Sequence, residues 1–157
     1  MVERLSSDAD YTLTAELQRD ARQTNRALAQ KIGLAPSTTL ARVRDLESKG
    51  VIGGYHATVD LAALGRPIQA LVFVRLRPKT EHLVNSFIDA VWELPEVISI
   101  DLISGVEDVV IHLAVPDVEA LNRVVLSKIS NREGVFDERT SLRFGHWRKT
   151  VIEPLDQ

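Results

Sequence analysis

The first third of the chain places apolar residues three or four positions apart, which is the spacing of one face of an α-helix. Gly33 interrupts the pattern, and Pro36 suits the first turn of a helix because its missing N–H would be unpaired there in any case. Ser7 or Asp8 is placed to cap the first of these helices. The spacing therefore predicts three helices before Lys49, with these apolar positions: Leu13, Leu17, Leu28, Ala29, Ile32, Leu40, Val43 and Leu46.

The pattern changes after the third helix. The segment 50–55 is rich in glycine and β-branched residues, and positions 56–59 alternate. This predicts a short wing or strand. We therefore expect a winged helix-turn-helix domain over residues 1–60 and a linker over residues 61–68, which contain a glycine and a proline.

The rest of the chain, residues 69–157, alternates strand-like and helix-like segments and ends in a tail. The predicted strands are Gln69–Leu76, Val97–Ile103, Val109–Val115 and Val135–Phe144, and the predicted helices are Glu81–Leu94 and a segment from Val118 to Ile129. The order βαββαβ is typical of a ferredoxin-like domain with an antiparallel sheet. The predicted fold class is thus α+β.

The first predicted strand is apolar on both faces, because Leu71 and Phe73 lie opposite Val72 and Val74. Helices of this arrangement cover only one face of the sheet. A second apolar face needs a partner, and the simplest partner is another copy of the chain. We therefore expect a homodimer that packs sheet on sheet.

Charge is distributed unevenly along the chain. The net charge is −3, but residues 22–49 hold six basic and two acidic residues, whereas residues 61–157 hold eleven basic and fourteen acidic ones. Local potential governs phosphate binding more than the total does. The chain has no cysteine, and its four histidines do not have the spacing of metal ligands. We therefore expect no metal site and no cofactor. With no secretory signal and no long apolar run, we expect a cytoplasmic protein that does not contact membranes.

The second and third predicted helices form a candidate helix-turn-helix for double-stranded DNA. Small polar residues at the start of a helix let it approach base edges, and arginines reach bases or phosphates. Arg42 and Arg44 point about 200° apart on a helix, so we expect Arg42 to contact bases and Arg44 to meet a phosphate or solvent. The candidate contacts are Arg22, Asn25, Arg26, Ser37, Thr38, Thr39, Arg42 and Arg44.

Several short motifs occur in an order that resembles the Lrp/AsnC (feast/famine) transcriptional regulators over essentially the whole chain. In the first half they are Leu17-Gln18, Asp20-Ala21-Arg22, Leu28-Ala29, Ile32-Gly33-Leu34, Ser37-Thr38, Arg42-Val43, Leu46-Glu47 and Gly50-Val51-Ile52-Gly53-Gly54-Tyr55. In the second half they are Ser104-Gly105-Val106-Glu107-Asp108, Gly134-Val135 and Thr140-Ser141. Each motif alone is weak, but their order and spacing make the match specific.

The resemblance implies a dimer that often assembles into octamers and senses an amino acid between dimers. It also implies an effector pocket formed by Ser104, Gly105, Val106, Glu107 and Asp108, with Thr140 and Ser141 facing it from strand four. Gly105 permits close approach of a ligand to the backbone. Asp108 is suited to an effector's ammonium group, and the amides of the turn to its carboxylate.

Two positions depart from the family pattern. Ala35 stands where many members have a serine that caps the helix. Without that cap we expect the protein to be less stable by about 1 kcal/mol, unless Ser37 caps the helix instead. Val106 stands where an acidic residue is common. With valine there, we expect the pocket either to prefer an effector with an apolar side chain or to bind no effector.

We expect a sequence-specific DNA-binding regulator and not an enzyme. Two alternatives stay open. The same layout resembles the sirohaem decarboxylases, in which His112 would be the residue to suspect, although the sequence has no evident cluster of His and Arg to hold a tetrapyrrole. The other alternative is an amino-acid-sensing oligomer that does not bind DNA.

Overall fold

The computed structural model describes residue 5 and residues 7–155, which form two compact units. One unit contains the described residues up to Ala57 together with those from Trp147 onward, and the other contains Thr58–His146. The tail is predicted from the sequence to belong to the second domain, but by its contacts it groups with the first unit. None of the described helices is long and apolar enough to cross a membrane.

Three helices build the first unit. Their bounds are Asp8–Arg19 for α1, Asn25–Ile32 for α2 and Pro36–Ser48 for α3. Ser7 caps α1 by accepting a hydrogen bond from the Asp10 N–H, and Thr24 caps α2 in the same way. α2 ends at Gly33, whose φ of 69° is a left-handed conformation that glycine adopts without steric cost. The buried core of the unit is formed by Leu13, Leu17, Leu28 and Leu46.

α3 buries Leu46 and packs Val43 against the core as predicted, but Thr39 takes the place of Leu40 in the buried stripe. Thr39 is 0% exposed and Leu46 is also buried, whereas Leu40 is 39% exposed. The Thr39 Oγ1 donates to the Ala35 carbonyl at 3.0 Å, so its hydroxyl is satisfied within the helix and its methyl group packs inside. The placement of Leu40 in the buried stripe was wrong. Two adjacent stripes satisfy the same helical spacing, and packing selected the one through Thr39.

Of the wing or strand predicted for residues 50–59, the segment after α3 forms no strand, so that half of the prediction was wrong. A strand needs a hydrogen-bonded neighbour, and no described segment pairs with this one. Instead, the N–H groups of Val51 and Ile52 both donate to the Leu46 carbonyl, at 3.0 and 3.1 Å. Both side chains then pack against the core of the first unit.

The C-terminal tail is joined to α1 by one side chain. The Gln18 Nε2 donates to the Ile152 carbonyl at 3.2 Å, and the Ile152 N–H donates to the Gln18 Oε1 at 2.8 Å. The amide of Gln18 thus satisfies both backbone groups of Ile152. This pair of bonds connects the tail to the helical unit.

A four-stranded sheet and the helices on one of its faces build the second unit. The bounds are Ile68–Leu76 for β1, Glu81–Trp92 for α4, Val97–Leu102 for β2, Val109–Val115 for β3, Val118–Val124 for α5, Val125–Ser130 for a π-helical turn that continues α5, and Val135–Leu142 for β4. The strand order is β2-β3-β1-β4, and each neighbouring pair is antiparallel. This confirms the predicted α+β fold with its βαββαβ order.

Side chains along β1 alternate between a covered and an open face. Val72 and Val74 are fully buried and belong to the same core as Ile111 of β3. Leu71 and Phe73 point to the other face and are only half-buried. The open face of the sheet is therefore partly apolar, as the sequence predicted.

Ala35 begins α3 without a side-chain hydrogen bond, and Ser37 does not take over as cap. The backbone at Ala35, with φ −66° and ψ 144°, already has the conformation of a capping residue. We expect Ala35→Ser to raise the free energy of unfolding by about 1 kcal/mol, because its hydroxyl would accept a bond from the free N–H of Thr38. Urea unfolding measures the change, with Ser37→Ala as a control expected to be neutral. An unfolding midpoint that stays or falls in Ala35→Ser contradicts the prediction.

Candidate DNA-binding surface and effector site

α3 presents Ser37, Ala41 and Arg44 on its outer side. Successive residues of an α-helix lie about 100° apart, so these three positions are opposite Thr39 and Leu46, which are buried. All three outer residues are exposed. Small side chains beside an arginine allow the helix to come close to a groove and let the guanidinium reach a base or a phosphate.

Arg42 lies on a different side of α3 and is held by α1. Its Nη1 is 2.9 Å from the Asp10 Oδ1 and 3.3 Å from the Ser7 Oγ. From the sequence, Arg42 is expected to contact bases and Arg44 to meet a phosphate or solvent. In the structure, Arg42 belongs to an ion pair that links two helices, and Arg44 occupies the outer face.

Two more predicted DNA contacts have other roles. Thr39 is buried and bonded within α3, so its prediction as a contact residue was wrong. The Asn25 Nδ2 donates to the Pro36 carbonyl at 2.7 Å, while the Asn25 Oδ1 is buried without a hydrogen bond in the described part of the chain. Asn25 therefore connects the start of α2 to the start of α3. Thr38 is exposed in the first turn of α3.

Ion pairs with carboxylates neutralise much of the positive charge counted between residues 22 and 49. Lys31 pairs with Glu16, Arg42 with Asp10 and Lys49 with Asp45. The hydrogen bond from Lys31 is the main reason that the pKa of Glu16 lies below its ordinary value. In the described chain, the exposed arginines of this stretch that have no ion-pair partner are Arg22, Arg26 and Arg44.

The turn between β2 and β3 is anchored by Asp108. This residue is almost fully buried, its Oδ1 is 2.5 Å from the Lys79 Nζ, and its Oδ2 accepts the Leu76 N–H at 2.8 Å. Burial raises the pKa of Asp108, but the hydrogen bonds from Lys79 and Leu76 outweigh it, so the pKa lies below its ordinary value. Asp108 is thus an ionised carboxylate whose two oxygens are both occupied.

A groove runs beside this turn. It is lined by Gly105, Val106 and Asp108 on one side and by the segment 75–79 on the other. Ser104, Gly105 and Val106 are exposed, and Gly105 has a φ of 148° that favours glycine, with open space where a side chain would begin. The turn therefore offers accessible backbone to a small ligand.

Within one chain, Thr140 and Ser141 do not both face the turn, and their place in an effector site between dimers stays a prediction. Thr140 pairs with Val72, and Ser141 pairs with Leu71, on opposite faces of the sheet, because successive residues of a strand alternate. Neither residue lines the groove. The Thr140 Oγ1 bonds to Glu138 at 3.1 Å.

The β4 residue that contacts the turn is Arg139, which the sequence analysis missed. Its Nη2 is 3.2 Å from the Glu107 Oε1, and its guanidinium lies 4.5 Å from the centre of the Phe73 ring. Arg75 and Arg77 of the groove were missed as well. The spacing of Arg75 and Arg77 in the sequence was a signal for them, since residues two apart at the end of a strand share one side, and both guanidinium groups lie over the Phe136 ring.

His112, the residue of the enzymatic alternative, lies on the open face of the sheet. Its Nε2 is 3.2 Å from the Gln69 Oε1 and 2.8 Å from the Arg143 Nη1. Burial and the nearby Arg143 lower the pKa of His112. Among the described residues, no group of three or more His, Asp or Glu side chains is arranged to hold a metal ion.

Comparison with known proteins identifies both units. Residues 69–151 match the model of the Lrp/AsnC ligand binding domain, and residues 9–52 match that of a winged helix-turn-helix DNA-binding domain. The HTH-type transcriptional regulator AldR of Mycolicibacterium smegmatis is 36% identical over 90% of this chain and 82% of its own length. The leucine-responsive regulatory protein of Escherichia coli is 33% identical over 83% of this chain and 80% of its own length.

Solved structures agree with these matches. A transcriptional regulator from Neisseria meningitidis, in complex with L-Met, superposes with a TM-score of 0.87 at 27% identity and covers 97% of this chain and 98% of its own. The structure of MtbAldR superposes with a TM-score of 0.72 at 32% identity over 92% of this chain and 98% of its own. The family models and the relatives together show that the chain belongs to the Lrp/AsnC family of transcriptional regulators.

Proposed function

We propose that the protein is a sequence-specific transcriptional regulator that binds double-stranded DNA through α3 and responds to a small effector bound in the second unit. The observation that carries this proposal is the exposed outer face of α3, formed by Ser37, Ala41 and Arg44, in a chain whose relatives are named transcriptional regulators. A sensing oligomer without DNA binding would not require that face.

The proposed contacts divide into two groups. Ser37, Thr38 and Arg44 are exposed on α3 and would meet base edges in the major groove. Arg22 and Arg26 are exposed before and within α2 and would meet phosphates, which position the protein on the duplex. Arg42 would act indirectly, because its ion pair with Asp10 orients α3 against α1.

We propose that the protein works as a homodimer whose sheets pack against each other. The support is the open face of the sheet, where Leu71, Phe73 and Val110 lie together and remain only half-buried in one chain. Two copies would double the positive charge offered to DNA. Their two α3 helices would enter successive major grooves of a roughly palindromic operator, and the family resemblance supports further assembly up to an octamer.

The effector would bind in the groove beside the turn 104–108. We propose an amino acid or a close derivative of one, since relatives include a leucine-responsive regulatory protein and a regulator in complex with L-Met. The accessible backbone at Gly105 supports this location. The effector would bind one oligomeric assembly, or one spacing of the dimers, more tightly than another. It would thereby increase the population of that state and change how much of the protein can bind DNA.

We further propose that the chain is a regulator and not an enzyme. We also propose that it acts in the cytoplasm, the compartment of the double-stranded DNA that it binds. The named relatives are transcriptional regulators. His112 is engaged by Gln69 and Arg143 on the open face, which the proposed dimer would cover.

We expect Arg44→Ala to weaken specific DNA binding by roughly tenfold or more, the size of one arginine contact to a base. Fluorescence anisotropy on DNA from upstream of the gene, at fixed salt, measures the affinity. Arg42→Ala should change affinity less and mainly lower the free energy of unfolding. Arg123→Ala removes an exposed arginine of α5 and serves as the control. If Arg42→Ala abolishes sequence preference and Arg44→Ala does not, the assignment of the contact face is wrong.

We expect Phe73→Asp to convert the dimer to a monomer, because it places a carboxylate in the centre of the proposed apolar interface. Light scattering gives the mass, and circular dichroism verifies that the variant is folded. Leu126→Asp, at an exposed position on the helical side of the second unit, is the matched control and should keep the mass of the parent protein. An unchanged mass in both Phe73→Asp and Leu71→Asp would exclude this face as the interface.

A further inference from the structure

His112 lies on the open face of the sheet, among the apolar residues that we expect a second copy to cover. In the register of β1 and β3 it pairs with Leu71, and Val110 and Phe73 form the next pair on the same face. Both strands are central in the sheet, and the His112 side chain is half-buried within one chain. A titratable group is therefore placed inside the proposed interface and not at its edge.

Arg143 reaches His112 across β1. Its backbone N–H donates to the Gln69 carbonyl at 2.9 Å, and its Nη1 lies 2.8 Å from the His112 Nε2 and 3.1 Å from the His112 Nδ1. The Gln69 Oε1 lies 3.2 Å from the same Nε2. A guanidinium only donates hydrogen bonds, so it requires a ring nitrogen that carries no proton. A neutral imidazole satisfies both neighbours, because it donates to Gln69 from one nitrogen and accepts from Arg143 at the other.

Protonation of His112 is incompatible with this arrangement. An imidazolium donates from both ring nitrogens and leaves no acceptor for Arg143. It also places a second positive charge within hydrogen-bond distance of the guanidinium. Within one chain, burial and then the charge of Arg143 already lower the pKa of His112.

The other charged groups near His112 oppose this repulsion only in part. The β2 residue paired with His112 is Ser99, which carries no charge. Asp101, also on β2, favours the protonated form, but it is exposed and its effect on the pKa of His112 is smaller than those of burial and Arg143. On β4, Arg139 is paired with Glu107 of the turn. The neutral form of His112 is therefore the one that this face favours.

We propose that His112 makes the sheet-on-sheet dimer sensitive to pH, because the neutral imidazole permits the dimer and the protonated imidazole opposes it. A second copy would remove water from His112 and Arg143, and a buried charge without a compensating partner is costly. Covering would therefore lower the pKa of His112 in the dimer below its value in one chain. This inference rests on the dimer proposed above and adds a regulation of it.

The direction of the pH dependence follows from these two pKa values. Above the pKa of His112 in the single chain, the imidazole is neutral in both states and the dimer has its full stability. As the pH falls below that pKa, which is lower than the ordinary value of about 6.5, the single chain takes up a proton that the dimer resists. The dimer therefore weakens on acidification.

Sedimentation equilibrium of the full chain, at fixed ionic strength, gives the dissociation constant of the dimer between about pH 8 and about pH 5.5. We expect this constant to rise by roughly tenfold or more over that range, since a pKa difference of about one unit between dimer and single chain contributes a factor of about ten for each copy of His112. Circular dichroism at each pH verifies that the chain stays folded.

Three variants assign the effect to this group. His112→Gln keeps an oxygen that accepts from Arg143 but does not titrate, so its dimer should be insensitive to pH, and His112→Asn repeats the measurement if His112→Gln does not fold. Arg143→Gln removes the neighbouring charge and should reduce the pH dependence. His82→Gln, at an exposed position on α4, is the matched control and should keep the pH dependence of the parent protein.

The possible failures are distinguishable. A dimer that Phe73→Asp dissociates, but whose dissociation constant does not vary with pH, would overturn this inference and leave the proposed interface and regulator function intact. An equal pH dependence in the parent protein and in the His112 variants would do the same. A mass that stays dimeric in both Phe73→Asp and Leu71→Asp would exclude the interface and this inference together.

Discussion

The alternation of side chains along β1 is the constraint on which the second unit depends. Because β1 is central in the sheet, paired with β3 on one side and β4 on the other, each of its residues must point to the helices or away from them. Val72 and Val74 fill the core, while Leu71 and Phe73 form the open apolar face. The core and the proposed interface therefore share one strand, whose end at Leu76 leads into the segment that lines the groove.

The helical unit depends in the same way on the angle between successive residues of α3. Once Thr39 and Leu46 are buried, Arg44 lies outside and Arg42 lies beside α1, where Asp10 is within ion-pair distance. A shift of one position in the buried stripe would exchange the two arginines. The choice of contact residue is therefore a consequence of core packing and not of the arginines themselves.

Ion pairing determines which charged groups are available to a ligand at both sites. The stretch that holds the helix-turn-helix is strongly basic when its residues are counted, yet Lys31, Arg42 and Lys49 pair with acids. In the groove, Asp108 is an acid by sequence but is occupied by Lys79 and a backbone N–H. At both sites, fewer charges remain available to a ligand than a count of the sequence suggests.

The sequence by itself determined the elements, because helical spacing, capping residues and strand alternation are local properties of the chain. Ser7 begins a helix and Gly33 ends one as predicted, the βαββαβ order is the observed one, and the motifs identified the family. Only the tertiary structure decided the burial of Thr39 over Leu40, the absence of a strand after α3 and the contact of Arg139 with Glu107. These features depend on which distant residues meet, and local patterns do not specify such contacts.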